Sequence, residues 1–103
     1  MTPTARSLKH LRAEGWLAEV VEKWNSFTRT RKDLWGWCDI LAIRAGEVLA
    51  VQVTSGSNVA ARVRKIAESE TVTHVRDAGI GIVVHGWRKN AKGHWTLREV
   101  DVS

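Results

Sequence analysis

Apolar positions along this chain change period from block to block, and each change predicts an element. Ala5, Leu8 and Leu11 recur three apart, one stripe of a helix. Thr2 and Pro3 suit its N-cap and first turn, and Gly15 suits its end. Arg6, Lys9 and Arg12 line another face. "WLAEVVEKW", Trp16 to Trp24, is short and β-branched and predicts a strand. Leu34 to Arg44 and Glu47 to Thr54 predict two more, joined by a tight turn. Between Asn25 and Lys32 the polar, basic "NSFTRTRK" predicts a loop. "SGSN" supplies a turn and an N-cap at Ser57 or Asn58, and Val59, Val63 and Ile66 make the stripe of a second helix. "TVTHVRDAG" reads as one further helical turn or two, ending at Gly79. "IGIVVHGW" is apolar without alternation, the mark of a strand covered on both faces. "HWTLREVDV" alternates poorly and predicts an edge strand.

The predicted order is αβββαββ. Three antiparallel strands form a meander after the first helix, and a second helix crosses back to further strands. That is an α/β fold, a central mixed sheet flanked by helices. At 103 residues, with no repeat or low-complexity tract, residues 1–103 make one domain.

The hairpin "DLWGWCDILAIRAGEVLAVQVTS", Asp33 to Ser55, interrupts its apolar pattern at Asp39 and Gln52. A two-residue turn at Ala45-Gly46 pairs Arg44 with Glu47. Opposed positions in an antiparallel pair keep a constant sum, so the same register sets Asp39 against Gln52 and Trp37 against Thr54. Opposed residues share a face, with Cβ atoms about 5 Å apart. The other face carries Cys38, Ile40 and Ala42 against Val53, Val51 and Leu49. Ala-Gly is not the best two-residue turn. A three-residue turn, however, would set Asp39 against Val51 and strand Gln52 on the apolar face. Asp39, Gln52 and Thr54 then form a small polar row. A buried Asp–Gln hydrogen bond accounts for it. So does a hard-cation site, because Mg²⁺ takes carboxylate, amide and carbonyl oxygens.

Charge sharpens the choice of partner. Lysine and arginine outnumber aspartate and glutamate by 16 to 11, a formal charge of +5. A small basic domain with six tryptophans and no tyrosine suits a polyanion, nucleic acid above all, with indole rings to stack on unpaired bases. The single cysteine, Cys38, fits a reducing cytoplasm. No apolar run is long enough for a membrane span, and "MTPTARSLKH" lacks the apolar core of a signal peptide. His10, His74, His85 and His94 have no metal-ligand spacing and read as ordinary. "GIG", Gly79 to Gly81, precedes a strand and is no phosphate loop.

A helix, a three-strand meander, then a helix and a strand, with an acid in the second strand and a short motif in the third, resembles the PD-(D/E)XK nuclease superfamily. "CDILAIRAGEVLAVQVTS" is similar in layout to archaeal Holliday-junction resolvases and virus-type replication-repair nuclease modules. The likeness spans roughly Thr4 to Val84. By position, Asp39 matches the metal-binding acid. Gln52 takes the place of the second acid, as in Mrr-like restriction enzymes. Thr54 stands where the family has its lysine, and the first helix lacks the family's glutamate.

The resemblance implies a restriction-endonuclease-like fold and a Mg²⁺- or Mn²⁺-dependent endodeoxyribonuclease, with branched or junction DNA a candidate substrate and a homodimer the expected assembly. Asp39, Gln52, the Val53 carbonyl and Glu22 would hold the metal, with Glu19 second to Glu22. Arg62, or else Lys65, would replace the lysine. Asp33 reads as a turn residue. Arg29, Arg31 and Lys32, with Trp35, Trp37 and Arg64, would grip DNA. The missing lysine and helix glutamate also admit a non-enzymatic DNA-binding protein on the same fold.

Overall fold

The computed structural model describes residues 1–103. Helix α1 (Pro3–Ala13) starts where Thr2 Oγ1 accepts the Ala5 amide at 3.1 Å, and the chain leaves it through Gly15 at φ 88°. There follow β1 (Leu17–Val20), β2 (Lys23–Asn25), β3 (Thr30–Lys32), β4 (Ile40–Arg44) and β5 (Glu47–Ser55). A 3₁₀ turn at Gly56–Asn58 leads into α2 (Val59–Ala67), then α3 (Val72–Asp77), β6 (Gly81–Lys89) and β7 (Trp95–Asp101). Asn58 holds the N-cap position of α2 without a side-chain capping bond.

Five strands make one mixed sheet in the order β1-β4-β5-β6-β7. β1, β4 and β5 are antiparallel neighbours, β6 runs parallel to β5 after the crossover through α2 and α3, and β7 is an antiparallel edge. Arg44 pairs with Glu47, the register expected of a two-residue turn. Ala45 and Gly46 both adopt positive φ, 29° and 83°, as the twist of a short hairpin requires.

Apolar side chains cover both faces of the sheet. Leu11, Ala18, Ile40, Ala42, Val51, Val53, Val83 and Trp87 pack on the α1 side. Trp37, Cys38, Ala50, Val59, Ile66, Val72, Val75, Ile82 and Val84 pack on the side of α2 and α3. This is why β5 and β6 read as unbroken apolar runs. Full burial of one such aliphatic side chain contributes about 1.5–3 kcal/mol. Gly86 lies under α2, where a β-carbon would run into the side chain of Val59.

Two sequence expectations need correction. The strand expected from Trp16 to Trp24 and the loop expected from Asn25 to Lys32 are instead β1 and a separate two-stranded ribbon. In that ribbon Lys23 faces Lys32, Trp24 faces Arg31 and Asn25 faces Thr30. Threonine and tryptophan in these short runs have high strand propensity, which the local charge obscured. The strand expected from Leu34 begins only at Ile40. Residues 33–38 fold into a tight turn, with Trp35 at φ 59° and Gly36 at φ 81°, closed by the Cys38 amide donating to Leu34 O at 2.8 Å. A glycine inside an apparent strand was the local signal of that break.

Candidate metal and nucleic-acid site

Asp39 sits where β4 begins, while β5 continues past the last β4 pair, Ile40 with Val51. The ladder slips by one residue there, because the Asp39 amide donates to Val51 O at 2.8 Å. The slip sends Cys38 to the α2 side of the sheet and Ile40 to the α1 side, so the two do not share the face expected of them. Beyond the slip, the Val53 amide has no strand partner in β4. The Asp39 carboxylate replaces it: Oδ2 accepts from the Val53 amide at 2.7 Å and from Gln52 Nε2 at 2.9 Å. Asp39 is 4% exposed.

Two further acids converge on it. Glu22, Asp33 and Asp39 offer carboxylate oxygens that all lie within 4.8 Å of one another. The ribbon explains this meeting. Its ladder pairs Lys23 with Lys32, so Glu22 and Asp33 are the next residues down, flanking its foot. The Val21 amide ties that foot to the sheet by donating to Asp39 O at 2.9 Å. Asp33 is therefore a member of the acid cluster and not only a turn residue. Reading residues 25–32 as a hairpin would have exposed it by register alone. Glu19, the other acid considered in β1, is exposed and lies 3.8 Å from Arg12.

Burial pushes the Asp39 carboxyl up to about 7; the Val53 amide opposes the rise, and the charges of Asp33 and Glu22 add to it. Three carboxylates at this spacing repel one another, and a cation or shared protons must relieve the repulsion. Arg31 supplies part of the relief, with Nη1 2.7 Å from Glu22 Oε1.

Arg62 is half-buried on α2 and makes no ion pair. It lines a recess of about 590 Å³ together with Glu22, Trp24, Arg31, Val53 and Thr54. Lys65 and Arg64 are exposed and do not line it. Of the two residues considered for the missing lysine, only Arg62 shares a recess with Glu22.

Gln52 is 2% exposed and turns its amide nitrogen, not its oxygen, toward Asp39. The same nitrogen lies 3.4 Å from the Val53 carbonyl, and the buried Oε1 has no partner. The Gln52 oxygen is thus not the atom turned to Asp39, and the Val53 carbonyl shares the Gln52 nitrogen with it. Trp37 is not a DNA-stacking residue: it is 1% exposed, and its Nε1 donates to Thr71 Oγ1 at 2.9 Å. The turn at Trp35-Gly36 drives it into the core. Trp35 is half-buried and stays at the surface of a groove beside β2. Arg29 (φ 53°) and Lys32 are exposed on the ribbon, as expected of phosphate-binding residues.

The pattern of the sequence did not reveal a second polar group, on the α1 side. Buried Ser7 Oγ lies 2.9 Å from His85 Nδ1 and accepts from Trp87 Nε1 at 2.8 Å, while His85 Nε2 lies 2.9 Å from Glu99 Oε2. Burial lowers the pKa of His85, and Glu99 opposes the shift. Ser7 and His85 are both fully enclosed, so this network anchors α1 to β6 and does not meet a substrate.

The chain matches no protein-family model, and no curated protein is similar to it in sequence. No helix is long and apolar enough to cross a membrane.

Proposed function

We propose that the chain is a divalent-metal-dependent endodeoxyribonuclease of the PD-(D/E)XK type, with a restriction-endonuclease-like fold. The observation that carries this reading is the convergence of Glu22, Asp33 and Asp39 within 4.8 Å, with Arg62, which makes no ion pair, lining the same recess as Glu22. The order of the sheet supports it: an N-terminal helix, the antiparallel trio β1-β4-β5, a helical crossover, and β6 parallel to β5.

The donor set fits a hard cation. Three carboxylates supply charged oxygens, while Gln52 presents its amide nitrogen to Asp39. Mg²⁺ or Mn²⁺ bound there would activate water and stabilise charge on a phosphate. The protein's own groups do the rest. Arg62, a planar guanidinium with several donors, holds and orients the phosphate. Thr54, in the position of the family lysine, contributes a hydroxyl and no charge. Arg31 covers Glu22 in the free protein and, on the ribbon, faces the approaching strand. Cutting both strands of a branched DNA takes two such sites, hence a homodimer.

One observation favours a second reading, a non-enzymatic DNA-binding protein. The Gln52 Nε2 to Asp39 Oδ2 bond is what a structural pair would make. Nicking of branched DNA separates the two. Wild type should cleave with Mg²⁺ or Mn²⁺ and not with chelator, and Asp39→Asn should lose cleavage while still melting cooperatively. Metal-independent nicking, or an active Asp39→Asn protein, rejects the nuclease reading.

A further inference from the structure

The ribbon of β2 and β3 carries more than the acid cluster needs. Residues 23–32 include Lys23, Arg29, Arg31 and Lys32 and no acid. Lys23 and Lys32 face each other across the ladder, an arrangement that like-charge repulsion disfavours unless an anion lies over it. Trp24 is 58% exposed and Phe27 is 99% exposed. Phe27 sits at the tip, its amide donating to Asn25 Oδ1 at 2.9 Å. A phenyl ring wholly in water contributes nothing to folding. A groove of about 500 Å³ runs beside the ribbon, lined by Trp24, Lys32, Asp33, Leu34 and Trp35. Asp33 belongs both to this groove and to the acid cluster, and Trp24 borders both the groove and the recess of Arg62.

From these features we infer that the ribbon is an arm that reads unpaired bases in DNA. Phe27 wedges against an unstacked base, as exposed apolar side chains do when they enter a base step. The groove, which Trp24 and Trp35 both line, takes the displaced base, since every base offers a flat face to an aromatic ring. Lys23, Arg29 and Lys32 lie along the phosphates. The partner is therefore a strand with an unpaired base, not a continuous duplex. Two indole walls suit a planar base better than a lipid chain, and the tip bears only one apolar side chain. The inference rests on the nuclease reading only in its orientation: a base in the groove sets its phosphate at Asp33.

The test is binding in chelator, where cleavage is silent. Fluorescence anisotropy compares a perfect duplex with the same duplex carrying a short unpaired bulge. Wild type should prefer the bulge about tenfold. Phe27→Ala should bring that preference close to one with the salt dependence unchanged, and Phe27→Trp should keep it. 2-Aminopurine in the bulge should lose emission on binding wild type and lose less on binding Trp24→Ala. Phe27 touches no core, so the alanine variant should melt as wild type does. A Phe27→Ala protein that keeps the bulge preference overturns the inference. So does the absence of any preference in wild type, or loss of binding to anionic phospholipid vesicles in Phe27→Ala with DNA binding intact. Calorimetric titration of Mn²⁺ without DNA reports on the acids alone. Mn²⁺ binding without a bulge preference removes the arm and spares the nuclease. A Phe27-dependent preference without Mn²⁺ binding does the reverse.

Discussion

Asparagine at position 39 should make the metal-free protein more stable above neutral pH and remove its response to divalent metal. In the folded chain the Asp39 carboxyl ionises near 7, against 3.8 when freely hydrated, because burial disfavours its charge and Asp33 and Glu22 lie beside it. The folded state therefore keeps a proton that the unfolded state has lost. Stability from this group is fully present below about pH 4 and falls as pH rises toward 7. The interval of about 3 pKa units, at roughly 1.4 kcal/mol each, sets a ceiling of about 4 kcal/mol. Asparagine is neutral throughout. Its single carbonyl oxygen can take the place of Oδ2, which accepts both the Val53 amide at 2.7 Å and Gln52 Nε2 at 2.9 Å, so both bonds survive. The variant's gain on wild type should grow from about pH 4 and reach roughly 4 kcal/mol by about pH 8. His85, whose pKa burial lowers, is common to both proteins and cancels. Urea unfolding followed by tryptophan fluorescence, in chelator, measures the difference. Saturating Mn²⁺ should then stabilise wild type alone, by about 2.7 kcal/mol at a hundred times its Kd. If Asp39→Asn is the less stable protein at about pH 8 without metal, the carboxylate is a structural anchor and the non-enzymatic reading is the better one.

Gln52→Glu should destabilise the metal-free protein by about 1 kcal/mol or more, because it adds a carboxylate beside Asp39, and should bind Mn²⁺ more tightly; melting with and without metal tests both. Arg62→Ala should slow cleavage far more than it weakens binding, whereas Arg31→Ala should weaken binding and lower its salt slope by about one. Equal effects on affinity alone would leave neither with a role in catalysis. Ala45→Gly should raise stability by about 1 kcal/mol, because Ala45 holds a left-handed φ of 29° that its β-carbon disfavours; an unchanged urea midpoint would contradict this.

Local rules were enough for much of the fold. The capped first helix, the stripe of α2, the buried run of β6 and the edge position of β7 all follow from period and composition, which act within a few residues. The Arg44–Glu47 register followed because a slip would have stranded Gln52 on an apolar face. The side-chain bond between Gln52 and Asp39 was legible too, although the slip removes the direct opposition that the register predicted. The rest depended on contacts between distant segments. Trp35 and Gly36 turn the chain through positive φ, for which Gly36 was the only local signal, and the packing of α3 against the turn buries Trp37 on Thr71. Asp39 meets Val53 because the β4 ladder slips by one residue, which no period can encode. Asp33 and Glu22 are eleven positions apart, and only the β2–β3 ladder brings their carboxylates to Asp39. Ser7 is polar on a helix face that should be apolar; its place became intelligible once β6 set His85 and Trp87 against it. Periodicity reports which face of an element is covered. Which buried polar groups meet is decided by where strands end and how they are offset, and that is fixed only when the sheet assembles.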